Sequence, residues 1–243
     1  MMNENKIEEK LPEDHLNSFE KDLSGRRCLF YGQAGARICM IQPMDDHDEE
    51  VRENELRLIS KELAATPFVH ISVKISDWSG ELSPWRAPAI YKSMAFGDGA
   101  PATLDFILRE VIPAARKHFL LPEDTQFILG GYSLAGLFAL WAGYETDAFS
   151  GIAAASPSVW FEGWDSFIKE HPVHARHVYL SLGDREVKTK NQTMARVADR
   201  IEAQYKQLQK QGTDITLEWN PGNHFRDPDA RTARAFSWCA GRL

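Results

Sequence analysis

A serine among very small residues, a histidine beyond a Pro-Gly turn and two acids beyond a glycine are the groups in this chain that could do covalent chemistry. Ser133 stands in Gly130-Gly131-Tyr132-Ser133-Leu134-Ala135-Gly136, with an apolar run before it and the helix-forming Leu137-Phe138-Ala139-Leu140-Trp141 after it. That is the strand–turn–helix setting of a nucleophile elbow, where the serine takes a strained backbone conformation at the tip of a sharp turn. The positions two before and two after crowd the neighbouring strand and helix, so they must be small. Gly131 and Ala135 meet the demand, with alanine in place of the second glycine of G-x-S-x-G. The same turn puts the Leu134 N–H at a helix N-terminus, where an oxyanion could be held. A second donor is expected where an earlier strand ends, at Ile41-Gln42-Pro43-Met44-Asp45-Asp46, from the N–H of Met44 or Asp45.

A serine hydroxyl is a poor nucleophile until a base takes its proton. Of eight histidines, His224 stands out, because Leu217-Glu218-Trp219-Asn220-Pro221-Gly222-Asn223-His224-Phe225 leaves a strand through a Pro-Gly turn. His47, close to the proposed oxyanion loop, is the competitor. His171, His174 and His177 recur at spacings of three that suit no zinc motif, so no metal is expected. The third group must orient the imidazole and stabilise it when protonated. In the chain order serine, acid, histidine, the run Val178-Tyr179-Leu180-Ser181-Leu182-Gly183-Asp184-Arg185-Glu186 offers two acids. Asp184 follows the strand at once, Glu186 has the longer reach, and spacing leaves both open.

These groups need a scaffold. Short apolar runs at 27–31, 37–42, 69–75, 126–130, 151–155, 177–182 and 215–220 alternate with helical segments. The pattern predicts an α/β fold with a mostly parallel central sheet and helices on both faces. Helical periodicity is clear over 48–66, from Thr103 or Asp105 toward His118, and over 191–211, with a last helix holding Phe236 and Trp238. Pro113 should kink or break the second of these. Residues 77–102 carry Trp78, Trp85, Tyr91 and Phe96 among Pro, Gly and Ser without a period, as a wall or lid over a pocket would. Trp78, Trp85, Trp160, Phe161 and Trp164 are the candidate pocket aromatics. Residues 1–26 read as a charged extension and 27–243 as a single domain.

The length of 243 residues and the 43% hydrophobic content suit one folded unit with a large core. A net charge of -7 without a basic stripe argues against a nucleic-acid partner. No apolar run is long enough to span a bilayer, so no membrane association is expected, and the charged N-terminal segment does not read as a secretory signal. Cys28, Cys39 and Cys239 fit small buried thiols, and the chain reads as cytoplasmic. Nothing specifies the oligomeric state.

Gly-Gly-Tyr-Ser133-Leu-Ala-Gly, Ser-Leu-Gly-Asp184-Arg-Glu186 and Asn-Pro-Gly-Asn-His224-Phe together resemble the esterase branch of the α/β-hydrolases, which includes esterase D, feruloyl esterases and enterochelin-type esterases. The resemblance covers roughly residues 38–238. It implies an α/β-hydrolase fold, a small-molecule ester substrate, an acyl-enzyme on Ser133, and neither metal nor organic cofactor. In that family the acid tends to lie about three residues past the strand-terminal glycine, which favours Glu186 over Asp184. An acyltransferase using the same site, and a binding protein with a dead site, are the alternatives. A product assay with competing alcohols would expose the first, and silence toward a serine-hydrolase probe the second.

Overall fold

The computed structural model describes residues 17–90 and 95–243. Eight strands form one sheet: β1 (Asn17–Leu23), β2 (Arg26–Gly32), β3 (Ile38–Met44), β4 (Phe68–Lys74), β5 (Gln126–Tyr132), β6 (Gly151–Ala155), β7 (His177–Gly183) and β8 (Asp214–Asn220). Their spatial order is β1-β2-β4-β3-β5-β6-β7-β8. The first two strands pair antiparallel, and β4, β3 and β5 to β8 run parallel. Every residue of β3 and β6 is buried, as strands covered on both faces require.

Two helices cover one face. They are α1 (Asp46–Leu63) and the last helix, α8 (Pro228–Ala240), which pack on Met40, Ile59, Ile128 and Phe236. The other face carries α3 (Ala100–Phe106), α4 (Ile112–His118), α5 (Leu134–Glu145), α6 (Trp164–Glu170) and α7 (Val197–Lys210), preceded in the chain by the single turn α2 (Trp78–Glu81). Residues 134–144 of α5 are buried without exception, because the helix is apolar all round and lies under other elements. The break expected at Pro113 is a π-helical turn, Ile107–Val111, in a helix that continues. The Ile112 N–H reaches Ile107 O, and Pro113, with no N–H to give, sits in the first turn of α4.

From β3 the chain passes through α1 to β4 on one side, then crosses to β5 on the other. The order therefore reverses at β3, and a crevice opens beyond the carboxyl ends of β3 and β5, where open α/β sheets bind ligands. Met44 and Asp45 end one of these strands; Tyr132 and Ser133 end the other.

Two expectations need correction. Residues 17–23 lie within the segment read as an extension but form edge strand β1, with Leu23 buried and Phe19 stacked on Phe30. Glu20, Lys21 and Asp22 hid it, being the charged residues that an edge strand tolerates. Residues 77–102 are also less irregular than expected, holding α2, a bridge between Ala87 and Phe96, and the start of α3. Tyr91 lies outside the described residues. Among those described, no helix is long and apolar enough to cross a membrane.

Candidate active site

Ser133 follows β5 directly with φ 57° and ψ −117°, in the left-handed half of backbone space that side chains avoid. Such a residue stores on the order of 1–3 kcal/mol, which persists only where the surroundings impose it. Here the imposition is steric. A Cβ on Gly131 would lie 2.6 Å from the Ala135 Cβ, so the elbow accepts one methyl group and no second. The Ser133 N–H donates to Ala155 O at 3.2 Å, and its carbonyl accepts from Leu137 and Ser158.

His224 Nε2 stands 3.0 Å from Ser133 Oγ, and His224 Nδ1 stands 2.7 Å from Glu186 Oε2. With its proton on Nδ1 facing the carboxylate, the imidazole leaves Nε2 free to accept from the serine. Asp184 does something else. Its carboxylate accepts from the Gly222 N–H at 2.8 Å and its own N–H donates to Asn220 O at 2.8 Å, so it ties down the turn that carries His224. Glu186 Oε1 accepts from the Gly183 N–H at 2.7 Å and from Ser156 Oγ at 2.8 Å. Gly183 cannot carry a side chain, because a Cβ there would sit 2.5 Å from Gly222 O and 3.0 Å from Glu186 Oε1. The Glu186 side chain is 5% exposed and that of His224 23%, so the acid is sealed while the base reaches the crevice.

The crevice holds a cleft of about 210 Å³ walled by Asp45, Asp48, Val51, Trp78 and Phe225, with Ser133 and His224 lining it as well. Asp45 and Asp48 form a capping box at the start of α1, in which the Asp45 carboxylate accepts from the Asp48 N–H at 2.9 Å. Burial, with Asp45 close by, pushes the Asp48 carboxyl up to about 6. Leu134 opens α5, so its N–H is among the first-turn amides with no partner inside the helix. Asp45 lines the cleft, and among the described residues its N–H is engaged by a long 3.5 Å contact with Asp48 Oδ2. Met44 is buried, its carbonyl accepting from the Ile75 N–H. His47 lies on the rim, 3.6 Å from Glu50. His171 stacks on Phe167, and His177 pairs with Asp214, so the spaced histidines do not converge.

The aromatic candidates divide. Trp78 lines the cleft, whereas Trp160 lines a separate cavity of about 220 Å³ with Ala87, Ile90, Phe96 and Asn191. Trp85, Phe161 and Trp164 belong to the packing beneath the wall. Trp85 meets Phe161, Trp164 and Phe167 and donates to Glu162 O; Trp164 is fully buried and donates to Gln204 Oε1 at 2.9 Å. Sequence reasoning missed Ser156, Ser158, Phe225 and Arg231. Ser158 Oγ lies 3.4 Å from Ser133 Oγ, and Phe225 is 83% exposed at the rim. Its position directly after His224 was the available signal.

A family model described as "Putative esterase" matches residues 45–226, more than half of the chain. No curated protein sequence matches it. Among solved structures, an IroE-like serine hydrolase from Shewanella oneidensis superposes with a TM-score of 0.74 at 14% identity, covering 91% of this chain and 79% of that one. The siderophore hydrolase EstA from Aspergillus nidulans gives 0.71 at 17% identity, covering 94% and 95%. The enterobactin esterase FES from Shigella flexneri, in the presence of enterobactin, gives 0.69 at 16%, covering 96% of this chain and 61% of that one. At these identities the structural likeness speaks for the fold; the family match over residues 45–226 carries the rest. The chain belongs to the "Putative esterase" family and is a carboxylic ester hydrolase of the α/β-hydrolase fold.

Proposed function

We propose that this protein hydrolyses a small carboxylic ester through an acyl-enzyme on Ser133, with His224 as base and then acid and Glu186 as the group that orients it. The observation that carries the reading is the continuous chain from Ser133 Oγ through His224 to Glu186, at 3.0 and 2.7 Å. His224 Nε2 takes the hydroxyl proton as Oγ attacks the ester carbonyl. The oxyanion is held by the Leu134 N–H and the N–H of Asp45. Collapse breaks the bond to the alkoxy oxygen, which leaves as the alcohol with the proton from His224. Water then attacks the acyl carbon, giving its proton to the same nitrogen, and on collapse the acyl–Oγ bond breaks as His224 returns that proton to Ser133 Oγ, releasing the acid. Losing one oxyanion donor in sites of this kind costs roughly 10²–10³ in turnover.

Relatives of this fold are named for siderophore hydrolysis. The walls here carry the Asp45 and Asp48 carboxyls beside Trp78 and Phe225, and no lysine or arginine among the described lining residues. That lining supports an ester that is neutral or cationic where it meets the cleft, since an anionic group there would face two carboxyls with only the exposed His47 imidazole on the rim beside them.

Labelling with a fluorophosphonate tests the nucleophile. Wild type should label and Ser133→Ala should not; a labelled Ser133→Ala, or an inert folded wild type, would overturn the reading. A panel of esters sharing one acyl group, with ammonium, neutral or carboxylate alcohols, tests the charge preference, which fails if the carboxylate ester is turned over fastest.

A further inference from the structure

Seven residues after His224 the chain places an arginine almost wholly out of solvent. The Arg231 side chain, in the first turns of α8, is 3% exposed, and Glu186, which it faces, is 5% exposed. Arg231 Nη1 donates to Glu186 Oε1 at 3.2 Å, the oxygen turned away from His224, and also lies 3.1 Å from Tyr132 Oη and 3.3 Å from Ser156 Oγ. Its other terminal nitrogen, Nη2, donates to Pro221 O and Asn223 O, both at 3.2 Å. Tyr132 Oη in turn donates to His224 O at 2.7 Å.

A buried guanidinium is costly unless its donors are used, and these contacts fix its plane. The two loop carbonyls hold Nη2, which presents Nη1 to the acid along one direction. A substrate carboxylate cannot reach the group through the surrounding protein, so recognition of an anionic ester is not its work. Lysine is a poor substitute, because one ammonium cannot span Glu186 Oε1 and the two carbonyls as a planar fork does.

We propose that Arg231 is a positioning residue that acts through Glu186: by anchoring Oε1 it keeps Oε2 aimed at His224 Nδ1, and so holds the imidazole ready for Ser133. The inference rests on the triad reading above. Its consequence is that the segment from Asn220 to Ala240 supplies both the base and the anchor of the acid, which itself comes from another strand.

The test is a double-mutant cycle on the full chain, read as the maximal rate of fluorophosphonate labelling. In that reaction Ser133 Oγ bonds to phosphorus, fluoride leaves, and the serine proton passes to His224, so no knowledge of the natural ester is needed. Arg231→Met should lower the maximal rate on the order of 10- to 100-fold, the range of one lost charge-assisted hydrogen bond, with the half-saturating probe concentration unchanged. In a Glu186→Gln background the same substitution should cost less than about threefold, because contacts that act through one partner are not additive. Equal losses in both backgrounds would overturn the proposal, since a purely structural arginine costs the same with or without the acid. If Arg231→Met does not fold by thermal melting, Arg231→Lys carries the same cycle with a smaller first loss and the same required coupling. A wild type that never labels fails the triad reading; a wild type that labels, with additive losses, fails only the role of Arg231.

Discussion

Two carboxyl groups are buried beside the same face of the sheet, and they have opposite surroundings. Glu186 receives four donors, from Gly183, Ser156, Arg231 and His224. Glu55, on α1, has one long 3.4 Å bond from Gln42 Nε2, while its Oε1 has no hydrogen-bond partner among the described residues. Beside it His70 donates from Nε2 to Gln42 Oε1 at 3.0 Å and Arg52 reaches Ser72 Oγ, while His70 Nδ1 and Arg52 Nη2 have no hydrogen-bond partner among the described residues. Burial pushes Glu55 well above the usual carboxylate range and lowers His70 to about 3. The 3.8 Å approach of His70 Nε2 to Glu55 Oε1 would be an ion pair only if a proton crossed between them, and burial drives both groups toward neutrality. Burial alone makes a carboxyl keep its proton. A ring of donors with a cation fixes the direction in which a carboxyl faces a histidine.

The sharpest way to break the comparison is Glu186→Gln. It should lower turnover of the folded protein by roughly 10³–10⁴, in line with the loss of a triad acid, and lower the melting temperature as well, because Arg231 is left buried without its carboxylate. A mild loss would mean that the acid lies elsewhere. Asp184→Asn should cost about tenfold or less, because it loosens the turn under His224 without touching the ring; a loss exceeding that of Glu186→Gln would exchange the two roles.

Glu55→Gln should leave turnover unchanged and alter how stability depends on pH. Glu55 has a folded value above its ordinary 4.5, so the folded state binds the extra proton and stability falls as pH rises through that window. His70, lowered from 6.5 to about 3, does the reverse: the unfolded chain binds the extra proton, and stability rises with pH between those values. Where the two windows overlap, above 4.5, they oppose each other, and the Glu55 part has a limiting slope of about 1.4 kcal/mol per pH unit. Denaturant midpoints of wild type and Glu55→Gln, compared from pH 4.5 upward, read the difference directly. The same pH dependence in both proteins would show that folding does not tighten proton binding at Glu55.

The smallest effect belongs to the cleft. Asp48→Asn should narrow the preference between ammonium and carboxylate esters by about two- to fivefold, consistent with the worth of a partly exposed charge. No change would remove Asp48 from recognition.

How much of this the sequence disclosed follows from how local each signal is. Ser133 and His224 were legible because the elbow and the Pro-Gly turn declare themselves within a few residues, and seven of the eight strands were legible from short runs rich in apolar residues, which in the central strands β3 and β6 are buried throughout. β1 was not, since its charged residues follow from its place at the edge. The choice between Asp184 and Glu186 depends on which way a turn directs each side chain, which spacing does not carry. Trp85, Phe161 and Trp164 misled because a ring beneath a wall and a ring in it have the same composition. Arg231, in Asp229-Ala230-Arg231-Thr232, looks like a solvated helix charge until α8 packs beside the turns after β7 and β8.

The cleft walls come from the first turn of α1, from α2 and from the residues just after His224, whereas Ser133 and Glu186 stand on turns at strand ends. Rim and reactive centre are therefore carried by different pieces of chain. Laboratory evolution confined to positions such as 47, 51, 78 and 225 could retool substrate scope while the acylation machinery beneath stays as it is.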